Sequence, residues 1–363
     1  MDQDRPLRIL QLCSSSATSG AEKHVVSLAK QLRRKGHEVL AVTPGPGWLP
    51  EALLDQGIST ECRQLRGRGY YPTIGHLMKR VRRERIDVVH THLTRAAYIG
   101  YAVGLLTRTP IVTSVHIANN DQIYKRLARR RNRLVAVSGF VRGMLHGRGI
   151  PERYIDTVYN GTDFLDFEAS DPDAVKDELG IPRERKIVGL VARLTPEKGQ
   201  IEMVRAMSQV RRDHPEAHVV FVGRVEEGFG DELDRVVAEE GMADRLTLTG
   251  VRHDIPRVMD AFTLSTLPSR METFGVAAIE AMARGKAVVA TKVGALPEVV
   301  RHKQTGLLVD LRPDEIADAV GYLLSNADER EEMGRAGRDL VERKFSLGEM
   351  ATRFEAVYRR TLD

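Results

Sequence analysis

Residues 268–285 read PSRMETFGVAAIEAMARG, and this stretch predicts both a fold and a ligand site. The run before it, AFTLSTL (261–267), is apolar and typical of a buried strand, which the following proline ends. Glu272 lies in a short glycine-containing turn, and an alanine-rich helix that carries Glu280 then runs to the closing glycine. The predicted order is strand, acidic loop and helix N-terminus, with seven residues between the two glutamates.

This order places a ligand site at the end of the predicted strand. In an open α/β sheet, ligands bind at the carboxyl ends of the strands. A helix N-terminus there offers backbone N–H groups and a partial positive charge to a phosphate group. The N–H groups in question belong to Thr273, Phe274, Gly275 and Val276.

The two glutamates differ in role by position. Glu272 lies in the loop and would face the ligand, whereas Glu280 lies about a turn into an apolar helix. A carboxylate there is costly unless it is hydrogen-bonded, and a pair of hydroxyl groups such as a ribose diol would satisfy it. The alternative is that both are surface glutamates, which is the usual position of that residue.

Two cations follow the first predicted strand of the second half, in the segment GLVARLTPEKG (189–199). Arg193 and Lys198 lie between this strand and the next helix, where two cations could neutralise the charge of a bound diphosphate. An arginine fork and a lysine point charge do this without a metal ion. The alternative is a pair of ordinary surface charges.

Short apolar runs alternate with amphipathic stretches along the whole chain. The predicted strands are 7–12, 39–43, 88–92, 111–115, 134–138 and 157–159 in the first half, and 187–192, 219–222, 246–248, 262–267, 288–290 and 307–309 in the second. The helices between them are represented by residues 22–35, whose apolar side chains share one face. This alternation predicts an α/β fold with parallel, doubly wound sheets.

The chain is long enough for two such domains. A turn cluster, NGTD (160–163), and a helix-start signal, SDPD (170–173), mark the join. We predict an N-terminal domain over 1–165 and a C-terminal domain over 166–346, followed by an amphipathic helix over 347–362.

Charge is divided unevenly between the two halves. Residues 1–165 carry 26 Lys and Arg against 13 Asp and Glu, whereas residues 166–363 carry 29 against 37. Basic runs at 79–85 and 125–133 hold much of the excess. We interpret the basic half as a surface for an anionic or lipid-linked acceptor or for an anionic membrane, with a solvated basic face as the alternative. No aromatic residue interleaves these runs, which argues against nucleic acid.

Bulk features of the sequence indicate the compartment. The most apolar segment, 96–106, is too short to cross a membrane and is followed by Arg108. The polar start, 1–8, predicts no secretory leader, and Cys13 and Cys62 form neither a disulfide framework nor a metal-binding spacing. We therefore expect a cytoplasmic protein, either free or at the inner face of the membrane.

The sequence predicts chemistry without a metal ion or another cofactor. The segment DPD (171–173) follows no strand and is interpreted as a helix cap, and no histidine–carboxylate cluster has clear metal spacing. His90 and His92 alternate on a predicted strand, and we expect their imidazoles to point to opposite faces. On that interpretation His92, at the strand end, reaches the donor or acceptor side of a site, and His90 packs in the core.

The segment 268–285 resembles the E-x7-E signature of retaining GT-B glycosyltransferases, and the chain is similar to glycosyltransferase family 4 (glycosyl transferases group 1). The matching residues are Pro268-Ser269, Phe274-Gly275, Glu280-Ala281-Met282 and Gly285, together with the pattern G-x-x-A-R-x-x-x-x-K-G over 189–199. The resemblance covers nearly the whole chain. It implies two Rossmann-like domains facing each other across a cleft, with helix 347–362 crossing back onto the N-terminal domain. Packing of that helix on the C-terminal domain alone is the alternative.

The resemblance also implies roles for single residues. His116 ends the strand 111–115 and would lie beside the sugar of the donor, with a capping histidine as the alternative. Gly20 lies in the first strand–helix loop, SSSATSGAE (14–22), where the family commonly has Gly-Gly and this chain has Ser-Gly. Other loop residues would cradle the base and ribose, although plain loop roles are equally open for them: Gly223, Val251 and Arg252.

The implied reaction is transfer of a sugar from a UDP-sugar, or alternatively a GDP-sugar, to an acceptor hydroxyl with retention at the anomeric carbon, in cell-surface glycan or glycolipid synthesis. Arg193, Lys198 and the amides of 273–276 would stabilise the departing diphosphate. Glu272 would bind sugar hydroxyls, and His116 would position the sugar. Two alternatives stay open: a GT-B enzyme that epimerises or hydrolyses nucleotide sugars, and a non-catalytic scaffold of a glycan-assembly complex.

Overall fold

The computed structural model describes residues 5–117, 121–129 and 131–362. They form two compact units. The first consists of the described residues of Met1–Gly161 and Leu347–Asp363, and the second of Thr162–Ser346. Each unit is an α/β body with one parallel sheet, so the predicted fold class is confirmed.

The first unit contains a seven-stranded parallel sheet. Its strands are β1 (Arg8–Cys13), β2 (Glu38–Thr43), β3 (Ser59–Cys62), β4 (Val88–His92), β5 (Ile111–Val115), β6 (Arg133–Ala136) and β7 (Ile155–Thr157). Its helices up to Gly161 are α1 (Gly20–Arg34), α2 (Trp48–Asp55), α3 (Tyr70–Arg83), α4 (Thr94–Thr107), α5 (Ile123–Leu127) and α6 (Gly139–Gly147). The strand order β3-β2-β1-β4-β5-β6-β7 reverses between β1 and β4, which is a switch point where such sheets bind ligands.

The second unit repeats this scheme with six parallel strands. They are β8 (Lys186–Val191), β9 (Ala217–Val222), β10 (Leu246–Leu248), β11 (Phe262–Leu267), β12 (Val288–Thr291) and β13 (Gly306–Val309). The helices are α7 (Pro172–Glu178), α8 (Gln200–Asp213), α9 (Gly230–Glu239), α10 (Ile255–Asp260), α11 (Val276–Ala283), α12 (Leu296–Val299), α13 (Pro313–Ser325) and α14 (Ala327–Lys344). The order β10-β9-β8-β11-β12-β13 has its switch point between β8 and β11.

The final helix, α15 (Leu347–Leu362), belongs to the first unit. Its apolar face (Met350, Phe354, Val357 and Tyr358) is buried in the same core as the inner face of α1. The Tyr358 hydroxyl lies 2.7 Å from Nδ1 of His90 on β4, so the helix is also bonded to the sheet. The second unit therefore ends where α15 begins.

The structure divides the chain after Gly161, four residues before the boundary we drew at 165. The Thr162 N–H donates to the carbonyl oxygen of Phe345 at 2.9 Å. The Arg284 guanidinium donates to the carbonyl oxygens of Phe164 and Phe167 at 2.9 and 2.6 Å. These bonds place the segment after Gly161 on the second unit.

Within the described part of the chain, no helix combines the length and the apolar character that crossing a membrane requires.

Candidate active site

The second sheet brings two predicted site residues into direct contact at its switch point. Lys198 lies in the loop after β8 and Glu272 in the loop after β11. Nζ of Lys198 donates to Oε2 of Glu272 at 2.6 Å, and the two side chains are 24% and 16% exposed. This half-buried ion pair lies at the carboxyl ends of two neighbouring strands. The family resemblance implies that the diphosphate and the sugar bind at this position.

Two glycines fix the backbone on either side of this pair. A Cβ atom on Gly199 would lie 1.8 Å from the carbonyl oxygen of Pro268, so the loop after β8 touches the end of β11 directly. A Cβ on Gly294 would lie 1.9 Å from the carbonyl oxygen of Glu272, which also accepts a hydrogen bond from the Ala295 N–H at 2.9 Å. Both glycines have positive φ, at +72° and +54°, which favours glycine further.

Arg270 joins the two loops with two hydrogen bonds and joins the second loop to α8 with an ion pair. Its backbone N–H donates to the carbonyl oxygen of Glu197 at 2.8 Å, and its Nε to that of Pro196 at 3.2 Å. Its guanidinium also forms an ion pair with Glu202 on α8. The loop of Lys198 and the loop of Glu272 therefore form one connected structure.

Arg193 is the more exposed of the two predicted cations. Its side chain is 65% exposed, and its Nη1 lies 3.7 Å from Oε1 of Glu226. The pKa of nearby Glu197 is lowered, first by a backbone N–H, then by the Thr195 hydroxyl, and further by the positive charges of Arg193 and Lys198. Both cations therefore lie close enough to this loop to act on the Glu197 carboxylate.

The start of α11 stands next to Glu272, as the sequence predicts. Gly275 precedes the helix with φ of +94°, and its carbonyl oxygen accepts from the Ala278 N–H at 3.0 Å. The Phe274 ring is buried, with its centroid 5.8 Å from that of Phe345. The side chain of Phe274 thus anchors the loop before α11 in the core. Glu280 lies half-buried one turn into the helix.

The loops predicted to hold the base and ribose differ in how exposed their side chains are and in how those side chains are bonded. Gly223 directly follows β9, and its N–H donates to the carbonyl oxygen of Gly250 at 2.9 Å. Val251 is 60% exposed, so its side chain is accessible to a ring. The Arg252 guanidinium is held by ion pairs to Asp254 and Glu178, at 2.6 and 2.7 Å. The Arg252 side chain, predicted to lie by the base and ribose, is therefore engaged by two carboxylates.

Predicted residues of the first unit also meet at a switch point. His92 ends β4 and His116 directly follows β5, and their ring centroids lie 5.9 Å apart. His24, on the first turns of α1, completes the group at 5.6 Å from His92 and 5.0 Å from His116. Among the described residues, these three histidines are the set whose ligand atoms lie close enough to hold a metal ion, all within 4.8 Å of one another.

The prediction that His90 and His92 point to opposite faces is wrong. Their ring centroids are only 4.1 Å apart, because residues i and i+2 of a strand share a face. His90 does pack in the core as expected: its Nε2 lies 2.8 Å from the Ser114 hydroxyl and its Nδ1 is bonded to Tyr358. His90 therefore packs against the His92 ring and is itself held by Ser114 and Tyr358.

His24, His90 and His92 are buried and His116 is partly buried, and the pKa values of all four imidazoles are lowered. Burial lowers the pKa of His116 to about 4, and burial followed by repulsion from a protonated His116 lowers the pKa of His90 to about 3. Burial also lowers the pKa values of His24 and His92 well below their ordinary value, and the neighbouring imidazoles lower them further. Both nitrogens of His92, and Nε2 of His116, are buried and have no hydrogen-bond partner in the described ranges.

Sequence reasoning missed His24. The signal was present, because His24 continues the i, i+4, i+8 stripe of Leu28 and Leu32 at the end of α1 nearest the β1 loop. Gly20, the predicted loop residue, opens the same helix. Ser19 bonds to the buried carboxylate of Glu22 across its first turn.

An open groove of about 670 Å³ lies at the carboxyl ends of β1, β2 and β3. It is lined by residues 14–17, Pro44 and residues 64–68. Three serines and two arginines, Arg66 and Arg68, supply hydroxyl donors and positive charge to this groove. It suits a small anionic molecule.

The basic runs contribute less free charge than the sequence predicts. Arg80 is buried, and its guanidinium is paired with Glu61 at 2.8 Å and with Glu84 at 3.0 Å. In the second run, Nε of Arg133 lies 3.8 Å from Asp156, and residue 130 lies outside the described residues. Part of the basic surface is therefore internal structure rather than a binding face.

Family models match both units. The model for "Glycosyltransferase Family 4" matches residues 18–164, and the model for "Glycosyl transferases group 1" matches residues 171–340. The chain is 31% identical over 302 residues to D-inositol 3-phosphate glycosyltransferase of Segniliparus rotundus, covering 77% of this chain and 67% of that one. It is 26% identical to N-acetyl-alpha-D-glucosaminyl L-malate synthase of Bacillus anthracis, covering 91% of each chain.

Solved structures share the fold. Anabaena HepE in complex with UDP superposes with a TM-score of 0.86 at 23% identity, covering 96% of this chain and 98% of HepE. A glycosyltransferase from Rickettsia africae superposes with a TM-score of 0.91 at 22% identity, covering 99% of each chain. At these identities the likeness shows the fold.

Proposed function

Since the chain belongs to glycosyltransferase family 4, we propose that it transfers a hexosyl group from a UDP-sugar to an acceptor hydroxyl with retention at the anomeric carbon. The observation that carries this proposal is the contact of Lys198 with Glu272 at the switch point of the second sheet. The choice of UDP is supported by HepE, which has the same fold and has been solved with UDP and with UDP-glucose.

In this proposal the donor diphosphate binds between the loop after β8 and the start of α11. Lys198 and Arg193 supply two positive charges, and the backbone N–H groups of residues 273–276 supply hydrogen-bond donors at a positive helix end. These groups stabilise the charge that develops on the diphosphate as the sugar leaves. Glu280, one turn into the helix, holds the ribose.

Glu272 has the complementary task. Its backbone is held by Ala295 and Gly294, so its carboxylate stays at the strand end when Lys198 turns towards a diphosphate. We assign it to the hydroxyl groups of the sugar and to the positive charge that develops on the ring. His116 of the first unit is assigned to the sugar by the family resemblance.

We infer that the anomeric configuration is retained because the reaction is a front-face displacement. The sequence and the site offer Glu272 as a partner of Lys198 rather than as a free nucleophile. A donor diphosphate oxygen takes the proton of the acceptor hydroxyl as the new bond forms on the face that the leaving group vacates. We expect this step to need no metal ion.

The acceptor is proposed to be a small anionic molecule. The groove at the ends of β1, β2 and β3 contains Arg66, Arg68 and three serines. The names of two relatives state acceptors of this kind, an inositol phosphate and malate. The alternative is a lipid-linked acceptor in cell-surface glycan or glycolipid synthesis, which would also be negatively charged.

Peripheral contact with an anionic membrane would use the ends of α3 and α4. Leu105 and Leu106 are 48% and 52% exposed there, and Nη2 of Arg82 donates to the carbonyl oxygen of Leu106 at 3.1 Å. Exposed leucines beside basic residues suit an anionic surface. Co-sedimentation with anionic vesicles at low salt tests this, and an unbound protein would remove the membrane from the proposal.

The function is tested by a donor screen followed by a transfer assay. Thermal shifts are measured with UDP, GDP, ADP and their hexose conjugates, because a ligand at a hundredfold its Kd stabilises by about 2.7 kcal/mol. The selected donor is then incubated with inositol phosphate or malate, and the anomeric configuration of the product is read by NMR. We expect a product with the configuration of the donor. Nucleotide release at the same rate without an acceptor would indicate a hydrolase instead, and no shift with any nucleotide would indicate a scaffold.

A further inference from the structure

We propose that His24, His92 and His116 form a binding site for one divalent transition-metal ion, and that this ion inhibits the enzyme. The binding half stands on the geometry of the three imidazoles. The inhibitory half rests on the proposed function, in which His116 positions the donor sugar.

The three ligands come from three different elements that the fold brings together. His24 lies on α1, His92 ends β4 and His116 follows β5, at the switch point of the first sheet. One nitrogen from each imidazole can be chosen so that all three lie within 4.8 Å of one another. Zinc–imidazole bonds are about 2.0–2.1 Å long, so modest ring rotations would bring the nitrogens around one ion.

A second observation points to a ligand at this place. Both ring nitrogens of His92, and Nε2 of His116, are buried without a hydrogen-bond partner in the described part of the chain. Buried polar atoms are normally satisfied, and unpartnered ones require an explanation such as an ion. The ring nitrogen of a neutral imidazole has a lone pair and is a common metal ligand in proteins.

The surroundings restrict the site to three protein ligands. His90 is the fourth imidazole of the group, but its two nitrogens are engaged by Ser114 and Tyr358. Phe354 covers His24 on another side, with ring centroids 5.4 Å apart. Three histidines with a remaining open position are a common arrangement for zinc in proteins.

The ligand set also selects the class of ion. Imidazole suits Zn²⁺, Co²⁺, Ni²⁺ and Cu²⁺, whereas Mg²⁺ and Ca²⁺ prefer oxygen ligands. The buried carboxylate of Glu22 acts electrostatically on His116 and adds attraction for a cation. An ion at this site would remove the His116 nitrogen from any sugar hydroxyl.

Binding is tested without any nucleotide sugar, on the full chain after treatment with a chelator. Zn²⁺ is titrated calorimetrically, and Co²⁺ is added in a parallel experiment to record its visible absorption. We expect one equivalent of tightly bound Zn²⁺ and the intense bands of four-coordinate Co²⁺. The variant His92→Ala should weaken binding at least tenfold, whereas His253→Ala, which removes an exposed histidine of the second unit, should leave it unchanged.

The outcomes separate this proposal from the proposed function. Equal Zn²⁺ binding by His92→Ala and by the natural chain would overturn the site, and so would the weak absorption of six-coordinate Co²⁺. If His92→Ala does not fold, the Co²⁺ spectrum of the natural chain decides alone. Loss of transfer on adding Zn²⁺, restored by the chelator, is expected for the inhibitory half. Transfer that continues with the site fully occupied would overturn that half, and an absence of transfer altogether would contradict only the proposed function.

Discussion

Nζ of Lys198 lies 2.6 Å from Oε2 of Glu272, although 74 positions separate the two residues in the sequence. They stand at the ends of β8 and β11, the neighbouring strands between which the order of the second sheet reverses. A cation suited to a diphosphate and an anion suited to a sugar are thus joined in one ion pair. When a donor binds, the Lys198 ammonium group would interact with both the Glu272 carboxylate and the diphosphate.

Replacing Glu272 should separate transfer from nucleotide binding. In Glu272→Ala we expect turnover to fall by about 10²–10³, the loss typical of a group that stabilises charge in the transition state. Nucleotide affinity should stay the same or rise, because Lys198 loses its competing carboxylate. Steady-state transfer and calorimetric titration with UDP measure the two effects. The control is Glu239→Ala, which removes an exposed glutamate of α9. Normal transfer by the Glu272 variant would contradict the assignment.

The close backbone approach at Gly294 should be essential to the site. In Gly294→Ala the new Cβ would lie 1.9 Å from the carbonyl oxygen of Glu272, so the loop must move. We expect a loss of about 1–3 kcal/mol in the free energy of unfolding beyond the cost of positive φ, together with reduced transfer. Gly180→Ala is the matched control, since its φ is +66° but no atom lies within 4 Å of the new Cβ. Urea denaturation compares the two, and equal losses would show that the contact is unimportant.

Removing one partner of the buried pair of Arg284 and Asp260 should strongly destabilise the second unit. Their side chains are 3% and 9% exposed, and Nη2 lies 2.7 Å from Oδ2. Arg284→Met leaves a buried carboxylate without its main partner, and we expect it to cost about 3–5 kcal/mol. The exposed pair of Arg235 and Glu239 provides the control, where Arg235→Met should cost about 0.5 kcal/mol or less. Similar denaturation midpoints for the two variants would contradict this prediction.

Stability should fall in mild acid through His218, a buried residue of β9. Burial, followed by the positive charge of Arg185, lowers the pKa of His218 to about 4, whereas the unfolded chain has the ordinary value of about 6.5. The folded state therefore binds fewer protons, so its stability is complete above about pH 6.5 and decreases as the pH falls towards about 4.

The variant His218→Gln tests this contribution, because an amide does not titrate and still reaches Thr247, which lies 2.9 Å from Nε2. The free energy of unfolding is measured from pH 7.5 to about 4.5. We expect the decrease in the natural chain to exceed that in the variant by up to about 3 kcal/mol. Parallel curves would show that His218 does not contribute.

Strand-end motifs made the fold and the positions of two candidate site residues predictable. The strands that were buried and apolar, such as β4, β5 and β11, were predicted within their observed bounds. β3 was missed because its sequence, STEC, is polar and partly exposed, so it has no apolar run. Residues directly after a buried strand, such as Lys198 and Glu272, were placed correctly on their loops.

Contacts between distant elements could not be predicted in the same way. The three histidines of the first unit lie on α1, β4 and the loop after β5, so no local spacing reveals them as a group. The error over His90 and His92 came from the strand period, since residues two apart share a face. The ion pair between Arg252 and Glu178 was missed because Glu178, on α7, is far away in sequence.

Binding of the diphosphate at this edge of the second sheet is tested most directly by the affinity of the natural chain and of Lys198→Met for UDP, measured by calorimetric titration. A charge-assisted hydrogen bond contributes about 1.5–3 kcal/mol, so we expect a Kd about 10–100 times higher in the variant. Lys176→Met serves as the control, because Lys176 pairs with Asp173 on α7, and it should bind UDP as the natural chain does. An unchanged Kd in Lys198→Met would contradict the claim that the diphosphate binds at the ends of β8 and β11.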